Sequence, residues 1–279
     1  MNKLKYKLAS FDIDETLIHN GVLTNTTKEA LIRLHNSGCK IAVNTGRSVY
    51  IVFEELKDFY IDYLICCNGS IVYDNTNKKI IFCEHISQNA RQFLAEQAKN
   101  SHNLKIKCDE QVYVGSFFPI KSVLFDLKYT PNYRFNLRQK LYYWSTLDMK
   151  HNIKEILLNS QSLLKLEWAC NTPNEAKNQC NTLNNNPYLR SNVTGTNYIE
   201  VVSSKASKGI AIEWLCDYLN IDISESIAFG DSGNDIDALK AAGYAVAMGN
   251  ATKEAKMVAD IVIDTAAKNG VASFIDSLL

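Results

Sequence analysis

The stretch "KLASFDIDETLIHN", Lys7 to Asn20, combines a short apolar run with two carboxylates at its end. Asp12 and Asp14 follow the apolar residues directly, and Thr16 comes two positions later. A buried charge is costly unless it is paired, hydrogen-bonded or bound to a metal. The stretch therefore predicts a strand that ends in a polar site.

Strand and helix patterns alternate on both sides of this stretch. After it, Ala30, Leu31 and Leu34 recur at helical spacing before Gly38, which predicts a helix. The other predicted strands are "KIAVNTG" (40–46), "YLICCNGS" (63–70), "SIAFGDS" (226–232), "YAVAMGN" (244–250) and "DIVID" (260–264), and helix patterns cover "SVYIVFEELKDF" (48–59) and "SKGIAIEWLCDYL" (207–219). Apolar strands that alternate with helices are typical of a parallel sheet covered on both faces. The predicted fold class is therefore α/β, with a Rossmann-like parallel-sheet core.

The middle of the chain has a different pattern, which predicts a second α/β domain inserted into the first. It holds an amphipathic helix at 87–99 and alternating strands at 121–129 and 198–202, whereas 171–187 is Asn-rich and predicted to be surface loop with helix ends. The aromatic residues expected in the core of this insert are Tyr142, Tyr143, Trp144 and Trp168. We predict a core formed by residues 1–84 and 203–279, with the insert at 85–202.

The amino-acid composition bears on the kinds of binding partner and on the cellular location that we expect. Lys+Arg and Asp+Glu are both 30, and this balance gives no indication of nucleic acid or an anionic membrane as partner. We find no apolar run of about 20 residues to span a bilayer, and no secretory signal. The eight cysteines include no CxxC pair, which argues against a zinc site. We expect a cytoplasmic protein with reduced thiols.

Polar residues lie at or just beyond the ends of four of the predicted strands. They are Asp12 and Asp14 at the end of the first strand, Thr45, Gly46 and Arg47 at the end of the second, Asn68 and Gly69 at the end of the third, and Asp231, Asn234 and Asp235 at the end of the strand at 226–232. Ligands of open parallel sheets bind beyond the carboxyl ends of the strands. Each residue alone has a structural alternative, such as loop or helix capping, but together they predict one polar site.

The residue types of this site favour a cation and a phosphate group. Asp12 and Asp14 would share a side if the strand continued regularly, and Asp231 would add a third carboxylate. Such a cluster is repulsive unless a hard cation such as Mg²⁺ lies within it. Thr45, Asn68, backbone amides near Gly46 and a lysine would suit phosphate oxygens.

Four motifs resemble those of the haloacid dehalogenase (HAD) superfamily phosphatases, in order and in spacing. They are "DIDET" (Asp12–Thr16), "NTGR" (Asn44–Arg47), "SKG" (Ser207–Gly209) and "GDSGND" (Gly230–Asp235), and "CNGS" (Cys67–Ser70) and "AMGNATKEAKMVAD" (Ala247–Asp260) further resemble the Cof-like subfamily. The resemblance implies a HAD-like core with an inserted α/β cap. It also implies substrates that are mostly small phosphorylated metabolites.

The resemblance assigns a role to each motif residue. It implies that Asp12 is the nucleophile and that Asp14 is the general acid and then the general base. The residues implied to bind the substrate phosphate are Thr45, Gly46, Asn68 and Lys208, with Lys205 a weaker alternative to Lys208. Those implied for Mg²⁺ are Asp12, the carbonyl of Asp14 and Asp231, with Asn234 and Asp235 either binding the ion directly or holding its ligands.

The predicted function is a Mg²⁺-dependent phosphatase that acts through an aspartyl-phosphate. One alternative is a phosphomutase of the phosphomannomutase type, and another is a non-catalytic metabolite-binding or regulatory protein. The sequence departs from the family pattern at Glu15, where glycine is common, and we expect this side chain to point toward the cap or solvent, where it is a candidate for contact with the substrate. The sequence does not specify the substrate or the oligomeric state.

Overall fold

The computed structural model describes residues 4–56, 59–98, 103–109, 111–115, 147–148 and 152–279. It divides into two compact units, the first formed by residues 1–83 and 206–279 and the second by residues 84–205. The strand predicted at 121–129 and the aromatic residues Tyr142, Tyr143 and Trp144 lie outside the described residues. No helix within the described ranges has the length and hydrophobicity needed to cross a membrane.

The first unit begins with strands and helices in alternation. They are β1 (Leu8–Phe11), α1 (Asn25–Asn36), β2 (Lys40–Asn44), α2 (Val49–Glu55), β3 (Tyr63–Cys66), β4 (Ile71–Asp74) and β5 (Lys79–Cys83). Helix α1 starts at an N-cap, where the Thr24 side chain accepts a hydrogen bond from the Thr27 amide at 3.2 Å. Ala30, Leu31 and Leu34 are its buried apolar positions, as the sequence predicts.

The second unit combines a mostly antiparallel sheet with helices. Its described elements are α3 (Gln88–Gln97), β6 (Leu104–Cys108), β7 (Val112–Val114), β8 (Leu147–Asp148), α4 (Ile153–Asn159), β9 (Leu163–Ala169), α5 (Pro173–Asn184), β10 (Leu189–Thr194) and β11 (Tyr198–Ser203). The described strands lie in the order β10-β11-β9-β6-β7-β8, and among them only the described pair β7–β8 is parallel.

Helix α5 corrects one sequence prediction, because a continuous helix occupies most of the Asn-rich segment that we predicted to be surface loop with helix ends. The Thr172 side chain caps it by accepting from the Glu175 amide at 3.1 Å, and proline follows at its first position. Ala176, Cys180 and Leu183 form its buried stripe. The prediction failed because the many asparagines masked an apolar stripe of only three residues.

The chain then returns to the first unit and completes its sheet. The remaining elements are α6 (Lys208–Leu219), β12 (Ser226–Gly230), α7 (Ile236–Ala241), β13 (Tyr244–Ala247), α8 (Lys253–Val258), β14 (Ile261–Val262) and α9 (Gly270–Leu278). The described strands are ordered β14-β13-β12-β1-β2-β3-β4-β5. The pairs from β14 to β3 are parallel and the last two are antiparallel. The predicted α/β class with a parallel-sheet core is confirmed.

Strand β1 lies between β2 and β12, and this placement defines the polar edge of the sheet. Phe11 pairs with Val43 on one side and with Phe229 on the other. Both faces of β1 are covered, since Leu8 and Phe11 are fully buried. The chain segments that leave the carboxyl ends of β1, β2 and β12 therefore start side by side.

The sheet of the second unit carries apolar residues on one face and charged residues on the other. Leu104, Ile106 and Leu166 belong to a hydrophobic core to which α3, α4 and α5 contribute. On the alternate positions, Glu167 pairs with Lys105, with Lys107 at 2.7 Å and with Lys165 at 3.5 Å. Burial alone would raise the pKa of Glu167, but the three lysines together hold it well below its usual range.

We expect Glu167→Gln to destabilise the second unit by about 3 kcal/mol, because the change removes the carboxylate that three buried lysines share. Since the pKa of Glu167 is lowered on folding, its contribution is present above the ordinary glutamate pKa and is lost only as the pH falls through the lowered value. Urea unfolding, with hydrogen exchange of β6 and β9 peptides to localise the effect, measures the change. The exposed Glu213→Gln is the matched control, and equal stabilities of the two variants would contradict the prediction.

Candidate active site

The site centres on Lys208, which lies between two carboxylates. Its Nζ donates to Asp12 Oδ1 at 2.5 Å and to Asp235 Oδ1 at 2.6 Å. All three side chains are buried, with exposed fractions of 1% for Lys208, 7% for Asp12 and 1% for Asp235. Asp12 and Lys208 are far apart in the sequence, so this contact joins the two ends of the first unit.

The backbone on both sides of Lys208 is held in place. Ser207 caps α6 by accepting a hydrogen bond from the Ile210 amide at 3.1 Å. Asn44, at the end of β2, donates from Nδ2 to the Lys208 carbonyl at 3.1 Å. Lys208 therefore starts its helix beside the ends of β1 and β2. Lys205, the weaker alternative, is exposed.

The loop after β12 is organised by Asp235. Its Oδ2 accepts from the backbone amides of Asp231 at 3.0 Å and Ser232 at 2.9 Å. The Ser232 hydroxyl donates to Asn234 Oδ1 at 2.5 Å, which holds Asn234 in the same loop. Thr16 donates to Asp231 Oδ1 at 3.3 Å and so links this loop to the one after β1.

Negative charge exceeds positive charge in this cluster. Carboxylate oxygens of Asp12, Asp231 and Asp235 all lie within 4.8 Å of one another, and Lys208 contributes one positive charge among them. Burial raises the pKa of Asp12 well above its usual range, although Lys208 opposes the effect. Burial and then the Asp235 charge raise the pKa of Asp231 to about 7.

The donor set fits a hard divalent cation. Mg²⁺ prefers carboxylate and carbonyl oxygens, and its charge would offset the carboxylates that Lys208 leaves unbalanced. Asp12 Oδ1 is engaged by Lys208, whereas Oδ2 accepts no hydrogen bond from any described residue. Asp235 uses both of its oxygens to contact Lys208 and backbone amides. This arrangement suits a residue that positions the ligands of the cation.

Asp14 lies in a different environment from Asp12. Strand β1 ends at Phe11, so the regular continuation that would place Asp12 and Asp14 on one side does not occur. Arg47 Nη2 donates to Asp14 Oδ1 at 2.6 Å and its Nε to Oδ2 at 3.1 Å, a two-point ion pair. The Asp14 side chain is 48% exposed. The sequence identified Arg47 at a strand end without assigning it this role.

Thr45, Gly46 and Asn68 lie in two adjacent loops. The Asn68 amide donates to the Thr45 carbonyl at 3.0 Å, and Thr45 Oγ1 accepts from the Arg47 amide at 3.2 Å. The turn after β3 has positive φ at Cys67, Asn68 and Gly69, with 89° at the glycine. A Cβ on Gly69 would lie 2.1 Å from the Ser207 carbonyl oxygen. This close approach places the turn against the start of α6.

The predicted site residues therefore form two linked groups. Asp12, Lys208, Asp231 and Asp235 make up the buried carboxylate cluster, with Asn234 in its loop. Thr45, Gly46 and Asn68 belong to the second group, which reaches Asp14 through Arg47. Thr16, which contacts Asp231, was part of the first motif but received no role from the sequence.

Comparison with known proteins identifies the family. The sequence model of haloacid dehalogenase-like hydrolases matches residues 9–275 of this chain. The chain belongs to this family. Among relatives, 5-amino-6-(5-phospho-D-ribitylamino)uracil phosphatase YwtE from Bacillus subtilis is 28% identical, and the match covers 98% of each chain. The chain is thus an enzyme of a hydrolase family with relatives named as phosphatases.

Solved structures agree on the fold of this HAD-like hydrolase. A haloacid dehalogenase-like hydrolase from B. subtilis matches with a TM-score of 0.85 and 25% identity, over 98% of this chain and 100% of the other. The HAD subclass IIB sugar phosphatase BT4131 matches with a TM-score of 0.79 and 22% identity, over 98% and 100%. The second similarity concerns the fold alone.

We expect Gly69→Ala to lower the free energy of unfolding by about 2 to 3 kcal/mol, because both the positive φ and the Ser207 carbonyl oppose a Cβ. Gly233→Ala is the matched control, since φ at Gly233 is not positive and no atom lies within 4 Å of its Cβ. Thermal and urea unfolding of both variants check this. Equal losses of stability would show that the approach of Gly69 to Ser207 is not a tight constraint.

We expect Mg²⁺ to bind about tenfold more weakly at about pH 6 than at about pH 8, because in the metal-free protein the pKa of Asp231 is about 7 and the cation must displace its proton. Calorimetric titration in buffers of different ionisation enthalpy measures both the affinity and the protons released. Asp231→Asn should abolish binding, whereas the exposed Asp217→Asn should not change it. An affinity that is constant across this pH range would contradict the prediction.

Proposed function

We propose that this HAD-like hydrolase is a Mg²⁺-dependent phosphatase of small phosphorylated metabolites, acting through an aspartyl-phosphate on Asp12. The observation that carries the proposal is the pairing of Asp12 with Lys208 inside a buried carboxylate cluster. One Asp12 oxygen is fixed by the lysine and the other is not engaged by described residues. That arrangement orients a carboxylate nucleophile and supplies positive charge where phosphate oxygens would lie.

Asp12 and Asp14 divide the chemistry between them. Asp12 forms a bond to phosphorus while the bond from phosphorus to the leaving oxygen breaks, and protonated Asp14 gives its proton to that oxygen. Ionised Asp14 then takes a proton from water as the water oxygen attacks phosphorus, and the bond between phosphorus and Asp12 breaks. Inorganic phosphate leaves and Asp14 is protonated again. Arg47, which contacts both Asp14 oxygens, would position this carboxylate between the steps.

Mg²⁺ would be held by Asp12, the Asp14 carbonyl and Asp231, with Asn234 and Asp235 supporting them. When bound, the cation offsets the repulsion between carboxylate and phosphate and stabilises charge on the phosphoryl oxygens. Asp235 would act mainly by fixing Lys208 and the backbone amide of Asp231, which it contacts directly.

The remaining predicted residues would bind the substrate. Lys208, Thr45, Gly46 and Asn68 would hold the phosphate group through charge and hydrogen bonds. We propose that the second unit is the cap that the sequence predicts at 85–202 and that it contributes to specificity. A cytoplasmic location would fit substrates of this class.

The test is phosphate release from a panel of phosphorylated metabolites, with Mg²⁺ or with EDTA. The panel includes sugar phosphates and 5-amino-6-(5-phospho-D-ribitylamino)uracil, because the relative YwtE is named for that compound. We expect Asp12→Asn to lower kcat by at least about a thousandfold, whereas Asp217→Asn retains activity. Acid quenching should trap phosphate on the wild-type peptide that contains Asp12.

The same assay separates the alternatives. A phosphomutase would isomerise a sugar phosphate when a sugar bisphosphate is present and would release little phosphate. Full activity of Asp12→Asn, or release that is unaffected by EDTA, would contradict the proposed mechanism. Membership in a hydrolase family argues against the non-catalytic alternative.

A further inference from the structure

Glu15 directly follows Asp14 and has a backbone conformation that residues other than glycine rarely adopt. Its φ is 56°, in the left-handed region that favours glycine. Glycine is expected at this position only from the family resemblance. The positive φ gives the physical reason why glycine is favoured there. A glutamate retained in a strained conformation beside a catalytic residue calls for a functional explanation.

Several hydrogen bonds impose this conformation on Glu15. Its amide donates to the Ile18 carbonyl at 2.7 Å, which closes the loop after β1. Its carbonyl accepts from Asn250 Nδ2 at 2.8 Å, and Asn250 Oδ1 accepts from the Ala266 amide at 3.1 Å. The backbone is therefore held without any contribution from the Glu15 carboxylate.

The Glu15 carboxylate is held separately, by a histidine. His19 Nδ1 lies 2.8 Å from Glu15 Oε2, and His19 Nε2 lies 2.9 Å from the Asn20 side-chain amide nitrogen. Because that amide nitrogen can only donate, Nε2 accepts and Nδ1 carries the proton that is donated to Glu15. The Glu15 side chain is still 44% exposed, so it is fixed in direction and accessible.

The charge of Glu15 reaches the carboxylate cluster. Burial and Asp235 are the main causes of the raised pKa of Asp231, and Glu15 adds to the same effect. Asp14, its neighbour in the chain, is the residue proposed to protonate the leaving oxygen. Adjacent Cα atoms are about 3.8 Å apart, so the Glu15 side chain starts directly beside the residue proposed to protonate that oxygen.

We propose that Glu15, fixed by His19, is a specificity-determining residue that selects phosphate monoesters of uncharged alcohols and polyols over esters whose leaving group carries a second anionic group. The inference rests on the proposed phosphatase function and names the substrate class of that site. A carboxylate accepts hydrogen bonds from hydroxyl groups, and it repels a carboxylate or second phosphate near Asp14. This role explains why a glutamate occupies a strained backbone position, because glycine would provide no carboxylate there.

The test compares two substrates with the same carbon skeleton, glycerol 3-phosphate and 3-phosphoglycerate. Glu15→Gln removes the charge and keeps the size and an acceptor for His19. We expect wild type to prefer glycerol 3-phosphate, and Glu15→Gln to improve kcat/KM for 3-phosphoglycerate about five- to tenfold more than for glycerol 3-phosphate. Binding of both esters to Asp12→Asn, with and without Glu15→Gln, should show the same selective gain without turnover.

A control for backbone strain uses Lys78, whose φ of 54° is also positive, in the turn between β4 and β5. Lys78→Gly should leave the preference between the two esters unchanged, whereas Glu15→Gly should reduce it as Glu15→Gln does. Equal effects of Glu15→Gln on both esters, or a wild-type preference for 3-phosphoglycerate, would overturn the proposal. Absence of activity toward every panel ester, with selective binding retained, would instead contradict only the phosphatase function.

Discussion

The buried contact of Lys208 with Asp12 and Asp235 is the interaction on which the site depends. It joins the end of β1, the start of α6 and the loop after β12, which come from opposite ends of the chain. A buried charge without partners would be strongly unfavourable, so burial of Lys208 requires compensating negative charge, which Asp12 and Asp235 supply. The same constraint fixes Asp231, because its amide is held by Asp235. Stability and site geometry are therefore set by the same contacts.

These contacts leave the site with more negative charge than the protein neutralises. Lys208 offsets one of the three clustered carboxylates, while Arg47 is committed to Asp14. Burial makes the uncompensated negative charge energetically less favourable, and the pKa values of Asp12 and Asp231 are raised accordingly. A cation and a phosphate group are complementary ligands for such a site. The cation would offset the carboxylates, and the positive charge of Lys208 would bind the phosphate group. The different surroundings of Asp12 and Asp14 also suit them to different chemical roles.

The sequence predicted the features that depend on local pattern and on strand order. Asp12 and Asp231 were identified because polar residues at the ends of apolar strands meet at one edge of a parallel sheet, whereas Lys208 was identified only through the family resemblance of its motif. The pairing of Arg47 with Asp14 was not predicted, because it depends on where β1 stops and on how the next loop turns. Helix α5 was missed because asparagines dominate its composition, and its capping and buried stripe become clear only when it is packed. Charge pairing across strands, as at Glu167, depends on register and has no local signal.

Discrimination between substrates must come from outside the carboxylate cluster. Every phosphate ester presents the same group to Lys208 and to a cation, so these contacts strengthen binding of all of them alike. Only residues near the leaving group can separate one ester from another, and Asp14 itself must serve every substrate. Glu15 meets this condition: it is adjacent to Asp14, held by His19 and carries a charge. Its positive φ is a cost in stability that a glycine would avoid, which is the expected pattern when a site keeps a residue for its chemistry.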